Sequence, residues 1–115
     1  MTKTANWMTV CQTSDLVDNS GVCALINEQQ VALFKLSVRE QVQLFAISNW
    51  DPIGKANVLY RGLLTSVGET ITVASPLYKQ RYSLATGQCL DADEIAVRVY
   101  PIRIEQQLVQ IQIDK

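Results

Sequence analysis

Residues 75–87 read Ser75-Pro76-Leu77-Tyr78-Lys79-Gln80-Arg81-Tyr82-Ser83-Leu84-Ala85-Thr86-Gly87, a proline loop followed by a short strand and a Thr-Gly turn. Residues 70–74 are rich in β-branched side chains and predict the strand that enters this loop. A second proline loop lies upstream, at Asp51-Pro52, after an apolar run that ends at Ile47. We therefore expect two loops, each projecting from a β scaffold.

The rest of the chain has the pattern of short strands separated by turns. Residues 13–16 predict one helical turn capped by Thr13 or Ser14. Glycine, proline and asparagine over 48–67 predict mainly loop. A four-residue hairpin loop is predicted at 27–30. Further strands are predicted at 9–11, 22–26, 31–36, 40–47, 81–84, 95–100, 102–104 and 108–113, the last with Val109, Ile111 and Ile113 inward. This spacing predicts an all-β antiparallel sandwich or barrel with short or no helices, in a single domain over 1–115.

The composition excludes several classes of function. A net charge of −1 and a pI near 5.3 argue against nucleic-acid binding, which depends on a basic surface. No apolar stretch approaches the length of a membrane span. The first seven residues lack the apolar core of a signal peptide, so we expect a cytoplasmic protein.

The side chains that most often build metal centres are scarce. The chain has no histidine, and its cysteines, Cys11, Cys23 and Cys89, lie too far apart for a common zinc or cluster spacing. We expect three buried free thiols; a disulfide or a reactive thiol is the alternative. Without histidine no Ser-His-Asp or Cys-His set exists, and no glycine-rich nucleotide motif is present.

The two proline loops resemble the two halves of a Rieske iron–sulfur motif. A Rieske cluster is held by two cysteine thiolates and two histidine imidazoles. In this chain Asp51 and Ser75 stand at the cysteine positions, and Ile53 and Tyr78 stand at the histidine positions. The resemblance therefore implies a Rieske-like fold without ligands for a metal or a cluster, and with no cofactor on this chain.

The segments around these loops resemble one family in particular, the small subunits of the NAD(P)H-dependent nitrite reductases. They are Phe45-Ala46-Ile47-Ser48-Asn49, Arg61-Gly62-Leu63 and Val73-Ala74-Ser75-Pro76-Leu77. The resemblance implies a cytoplasmic accessory subunit in nitrate assimilation, with no active site of its own. It also implies a large-subunit partner that reduces nitrite to ammonia and carries siroheme, an iron–sulfur cluster, FAD and the NAD(P)H site. Neither nucleic acid nor a membrane is expected as a partner.

The loop tip is the expected docking surface for the large subunit, because recognition residues commonly lie on loops held by a rigid scaffold. The candidate docking residues are Trp50, Asp51, Ile53, Tyr78, Lys79 and Arg81. Trp50 has two interpretations, an interface anchor or a plug packed between the loops. Tyr78 is expected to donate a hydrogen bond to Asp51 and so tie the loops together. The carboxylates at 91, 93 and 94 are expected to be solvated.

Two other classes of function are open. The chain could be a stand-alone β-barrel binding module that holds a small ligand in a cleft at the loop tip. It could also be an electron carrier with an unusual metal site. A brown colour would identify the electron carrier, and co-purification with a large siroheme flavoprotein would identify the accessory subunit.

Overall fold

The computed structural model describes residues 7–38 and 40–113, which form antiparallel strands joined by short turns. In chain order the strands are β1 (Trp7–Gln12), β2 (Ser20–Ile26), β3 (Gln29–Val38), β4 (Gln41–Ser48), β5 (Trp50–Asp51), β6 (Ala56–Asn57), β7 (Leu63–Val67), β8 (Thr70–Ala74), β9 (Arg81–Ser83), β10 (Val99–Tyr100), β11 (Ile102–Glu105) and β12 (Leu108–Gln112). Helical structure in this part of the chain is confined to 3₁₀ turns at Thr13–Asp15 and Leu59–Arg61. The prediction of an all-β fold with short or no helices is confirmed.

The strands form three sheets and a small hairpin. The orders are β10-β4-β3-β2, β1-β12-β11 and β7-β8-β9, and β5 pairs with β6. Within the described residues there is no helix long and apolar enough to cross a membrane. Residues 1–6, on which the expectation about a signal peptide rests, lie outside the described part of the chain.

The central strand β3 divides the core into two clusters. Side chains alternate across a strand, so Ala32, Phe34 and Leu36 pack into one cluster, while Val31 and Leu33 pack into the other. Both faces of β3 are therefore buried, which explains its unbroken apolar run. The inward side chains predicted for the last strand are confirmed, since Val109, Ile111 and Ile113 all lie in the second cluster.

The hairpin between β2 and β3 is tighter than predicted. Its loop is two residues, Asn27 and Glu28, with φ of 49° and 67°. Positive φ at both central residues matches the twist of the flanking strands, as in type I′ turns. Gln29 and Gln30 belong to β3, where they pair with Ile26 and Leu25. The four-residue loop predicted at 27–30 was wrong because the sequence has no glycine there to indicate such a turn.

Two predicted strand assignments are also wrong. Residues 63–67, predicted within a mainly loop region, form β7 and pair along their whole length with β8. Residues 95–98, predicted as strand, are not part of a strand. The Val97 N–H donates to the Gly87 carbonyl at 2.8 Å, and the Ile95 carbonyl accepts from Cys89 at 3.0 Å. Only the Arg98 carbonyl, which accepts from the Ser48 N–H at 2.8 Å, bonds to a sheet strand in this segment.

Two smaller expectations need correction. The first 3₁₀ turn is preceded by Gln12 as its cap residue, and the Gln12 N–H donates to the Asp15 carboxylate at 2.9 Å. Neither Thr13 nor Ser14 has the predicted capping role. All three cysteines are free, but only Cys89 is buried, whereas Cys23 is exposed.

We expect Gly87→Ala to destabilise the fold far more than Gly68→Ala. Both glycines have positive φ, 82° and 63°, which costs an alanine about 1–2 kcal/mol. A Cβ at Gly87 would also overlap the Val97 carbonyl oxygen, while a Cβ at Gly68 has nothing within 4 Å. Urea denaturation should give a loss of roughly 3–4 kcal/mol for Gly87→Ala. Equal losses for the two variants would contradict the close packing of 87 against 97.

Candidate functional site

Two turns of the same construction form one end of the molecule. We call residues 49–58 loop 1 and residues 75–80 loop 2. In loop 1 the Lys55 N–H donates to the Asp51 carbonyl at 2.6 Å, and in loop 2 the Lys79 N–H donates to the Ser75 carbonyl at 2.9 Å. Both lysines have positive φ, 58° and 65°. Each turn is therefore closed by its own backbone.

The first side chain of each turn caps the turn from inside. The Asp51 carboxylate accepts from the Ile53 N–H at 3.0 Å, and the Ser75 hydroxyl accepts from the Leu77 N–H at 3.2 Å. Short polar side chains followed by proline favour this geometry. The shared pattern of Asp51-Pro-x-x-Lys55 and Ser75-Pro-x-x-Lys79 is visible in the sequence and indicates two related turns.

A direct hydrogen bond joins the two turns. The Ser75 hydroxyl donates to Asp51 Oδ2 at 2.5 Å. Both residues are buried, with Asp51 fully inaccessible and Ser75 1% exposed. The structure thus brings together the two residues at the cysteine positions of the Rieske motif.

Two further donors reach Asp51, one from the last residue of loop 2 and one from β9, the strand that follows it. Gln80 Nε2 and the Tyr82 hydroxyl donate to Asp51 Oδ1 at 2.7 and 2.8 Å. Gln80 Nε2 also lies 3.2 Å from the Tyr82 oxygen. We call Asp51, Ser75, Gln80 and Tyr82 the carboxylate network. Gln80 Oε1 is a buried side-chain oxygen, and no hydrogen-bond partner is found for it.

The network sets the protonation of both acidic groups. Burial raises the pKa of the Asp51 carboxyl, but the hydrogen bonds that it accepts outweigh burial and hold the pKa below its ordinary value. The donors responsible are, in order, the Ser75 hydroxyl, the Gly54 N–H, the Tyr82 hydroxyl and the Ile53 N–H. Burial raises the pKa of Tyr82 far above its ordinary value, and the Asp51 carboxylate adds to that rise. At neutral pH, therefore, an ionised carboxylate accepts from a protonated phenol.

The tyrosine in this network is not the one predicted. Tyr78 was expected to donate to Asp51, but its side chain is 69% exposed and the donor is Tyr82. Alternation in β9 does not single out Tyr82, because the adjacent Ser83 is buried as well. Gln80 was also missed, since a glutamine after a lysine in a loop gives no sign of burial.

The other candidate residues lie at or near the surface of the tip. Trp50 is 44% exposed, which favours an exposed contact residue over a plug between the loops. Lys79 is exposed, Ile53 is half-buried, and Leu77, which the sequence did not single out, is 46% exposed. Asp51 is inaccessible to solvent, so it cannot touch a partner and can only hold the residues that do.

Arg81 is held by an acidic residue. Its guanidinium makes two hydrogen bonds to Asp91, at 2.7 and 3.2 Å, and its backbone N–H makes a third at 2.8 Å. The hydrogen bonds from Arg81 lower the pKa of Asp91 to about 2. Asp91, expected as a solvated carboxylate, instead ties the β9 strand to the following loop.

Asn49 anchors loop 1 to the scaffold. Its side chain is fully buried, accepts from the Tyr60 N–H at 2.8 Å and donates to Gln30 Oε1 at 3.1 Å. Its backbone N–H donates to the Gln30 carbonyl at 2.9 Å. Loop 1 is therefore fixed to β3 immediately before Trp50.

The residues present do not fit a 2Fe–2S cluster. The Ser75 hydroxyl and the Asp51 carboxylate bond to each other, Ile53 has no lone pair, and the Tyr78 phenol points to solvent. Among residues 7–38 and 40–113 there is no group of three or more histidine, cysteine, aspartate or glutamate side chains that could hold a metal ion. A cluster needs soft thiolates and imidazoles, which this site lacks.

Three concavities lie away from the tip. A groove of about 910 Å³ lies beside β7, one of about 500 Å³ lies between β1 and β2, and one of about 390 Å³ lies against β10. None of their linings includes a residue of loop 1 or loop 2. The tip instead exposes large apolar side chains, Trp50, Leu77 and Tyr78, which suit contact with a protein surface.

Comparisons with known proteins show the family and the fold to which the chain is similar. The model of the Rieske-like 2Fe–2S domain family matches residues 6–112. The small subunit of NADH nitrite reductase from Escherichia coli is 39% identical over 107 residues, which cover 93% of this chain and 97% of that one. The solution structure of a nitrite reductase NAD(P)H small subunit from Erwinia carotovora is 40% identical, with a TM-score of 0.78 over 95% of this chain and 82% of that one.

One similar protein is much longer. The large subunit of a nitrite reductase from Klebsiella oxytoca is 38% identical over 105 residues, which cover 91% of this chain but only 11% of that polypeptide. In that enzyme a domain of this kind is thus part of the large subunit.

We expect Asp51→Asn to flatten the acid dependence of stability. The folded-state pKa of Asp51 lies below the unfolded value of about 3.9, so the ionised carboxyl stabilises the fold above that pH. This stabilisation is lost as the pH falls through the folded-state pKa. Between about pH 5 and pH 3 the free energy of unfolding should fall more steeply for the wild type than for the variant.

Urea denaturation at a series of pH values measures both slopes. At neutral pH the variant should be about 1–3 kcal/mol less stable, because an amide offers one acceptor oxygen where the carboxylate offers two. Asp93→Asn, the same substitution at an exposed position, is the matched control. Parallel slopes for wild type and Asp51→Asn would show that Asp51 does not have a lowered pKa.

Proposed function

The chain belongs to the Rieske-like 2Fe–2S domain family and is homologous to nitrite reductase small subunits, and from this we propose that it is a cluster-free accessory subunit of an NAD(P)H-dependent nitrite reductase. As a single Rieske-like domain it would act in the cytoplasm, in the reduction of nitrite to ammonia. The chemistry would belong to the large subunit, with siroheme, an iron–sulfur cluster, FAD and the NAD(P)H site.

The observation that carries the proposal is the hydrogen bond between Ser75 and Asp51. It joins the two loops at the positions where thiolates would hold an iron. The carboxylate network satisfies the Asp51 oxygens with donors from this chain. A role in electron transfer has no support from these residues, whereas a structural or docking role does.

The partner is the large subunit of the same enzyme. The Klebsiella oxytoca large subunit includes a region 38% identical to this chain, so in that enzyme a domain of this kind and the rest of the large subunit belong to one polypeptide. We infer that this domain contacts the large subunit of its own enzyme. The docking surface that we propose is the tip, with Trp50, Ile53, Tyr78 and Lys79 at its surface.

The exposed side chains of the tip fit this role. Trp50, Leu77 and Tyr78 are three large apolar side chains from two adjoining turns, 44%, 46% and 69% exposed. Aromatic residues often dominate interface energy. The exposed charges of these two turns are Lys55 and Lys79, since the one carboxylate, Asp51, is buried. The receiving surface should therefore be apolar with carboxylates at its rim.

The first test concerns the cluster. The chain, produced with iron and sulfide under anaerobic conditions, should be colourless and contain no stoichiometric iron. The positive control is the variant with Asp51→Cys, Ile53→His, Ser75→Cys and Tyr78→His, which restores the Rieske ligands at the two loops. A brown wild-type protein with a visible iron–sulfur spectrum would overturn the cluster-free assignment.

The second test concerns docking. The double variant Trp50→Ala/Tyr78→Ala should raise the Kd for the purified large subunit at least about 30-fold, as expected for loss of two aromatic anchors. The matched control is Val42→Ala/Ile104→Ala, which removes two exposed apolar side chains on strands β4 and β11, outside the two loops. Calorimetry or surface-based binding would measure both. A Kd unchanged by the tip substitutions would refute docking through the tip.

A further inference from the structure

Each turn of the tip keeps its own shape, but their relative position depends on contacts between them. The backbone bonds at Lys55 and Lys79 close the turns separately. Between the turns, the Ser75 hydroxyl donates to the Asp51 carboxylate. The Leu77 side chain also lies so close to Gly54 that a Cβ there would be 2.5 Å from Leu77 Cδ1. A second hydrogen bond, from Gln80 Nε2 to Asp51, runs from the last residue of loop 2. Two hydrogen bonds to one carboxylate and one apolar contact thus join the loops.

The exposed aromatic residues are directly attached to the joined residues. Trp50 precedes Asp51, and Tyr78 lies three positions after Ser75. Any change in the distance between Asp51 and Ser75 therefore moves Trp50 relative to Tyr78. The carboxylate network lies beneath the surface and cannot itself touch a partner, because Asp51 and Ser75 are buried.

The orientation of the Gln80 amide is set by Asp51. Gln80 is 6% exposed, and its Nε2 donates to the carboxylate at 2.7 Å. The carboxylate accepts but does not donate, so the amide cannot be turned round without losing this bond. Gln80 therefore holds Asp51 from the residue that leads from loop 2 into β9.

We propose that Asp51 is a positioning residue of the docking surface, and that its bonds from Ser75, Gln80 and Tyr82 set the spacing of Trp50 and Tyr78 for the large subunit. This inference rests on the proposed function. The network would be the hydrogen-bonded counterpart of a cross-link between the loops, and partner affinity would depend on residues that the partner does not contact.

Tyr82→Phe is the main test variant. It removes the hydroxyl that donates to Asp51 and keeps the ring in the core. Ser75→Ala, which removes the hydrogen bond from the Ser75 hydroxyl to Asp51, is the second variant. Each should raise the Kd for the large subunit about tenfold. Ile111→Val, in the other core cluster, controls for a general loss of stability.

A double-mutant cycle separates positioning from a structural effect. If Tyr82→Phe acts through the aromatic residues, it should have no further effect on Kd in the Trp50→Ala/Tyr78→Ala background. A Tyr82→Phe effect of the same size in both backgrounds would overturn the inference. The variant with cysteines and histidines at the four ligand positions cannot replace Tyr82→Phe in this cycle, because it removes Asp51 and Ser75 together.

Fluorescence of Trp50 gives a readout in the free chain. Trp7→Phe leaves Trp50 as the sole tryptophan. In that background Tyr82→Phe should lower the anisotropy of Trp50 and increase its quenching by acrylamide, while Ile111→Val should change neither. Unchanged anisotropy and Kd in both network variants would refute positioning by Asp51 while leaving the proposed function intact. Failure of the wild-type chain to bind the large subunit would instead overturn the proposed function, and with it this inference.

Discussion

The buried carboxylate of Asp51 is the interaction on which the end of the molecule that carries the two loops depends. A charge removed from water is very costly unless donors surround it. Here the donors come from three segments. The first is loop 1, which contains Asp51 itself, the second is loop 2 with Ser75 and Gln80, and the third is β9 with Tyr82. Satisfying one charge therefore requires that all three segments be in place at once.

The carboxylate network joins the two loops of the tip. In a Rieske domain the cluster links the two loops through bonds from both. In this chain the Asp51–Ser75 hydrogen bond links the loops at the two positions where the resemblance places cysteines. A hydrogen bond to a charged group contributes about 1.5–3 kcal/mol, and the donors from Gln80 and Tyr82 add to the link.

The scaffold beneath the loops is rigid for a different reason. Strand β3 is covered on both faces by core clusters, and a register slip of one residue would exchange its two sets of side chains. Loop 1 is attached to this strand through Asn49, whose side chain and backbone both bond to Gln30. The exposed side chains of the tip are thus held by a well-packed sheet on one side and by the carboxylate network between the loops.

The sequence by itself determined the all-β fold, most of the strands and the two proline loops, because these follow from local pattern and from resemblance. Predictions from the sequence were wrong where the residue that pairs or bonds with a segment is distant in the chain, or where no nearby residue indicates the local structure. The two-residue turn at 27–28 lacks glycine, and β7 is a strand because β8 pairs with it. Only the tertiary structure decided that Tyr82, rather than Tyr78, donates to Asp51, and that Gln80 is buried. Asp51 and Tyr82 are 31 positions apart, and only the fold, which carries loop 1 against β9, brings these two side chains within hydrogen-bonding distance.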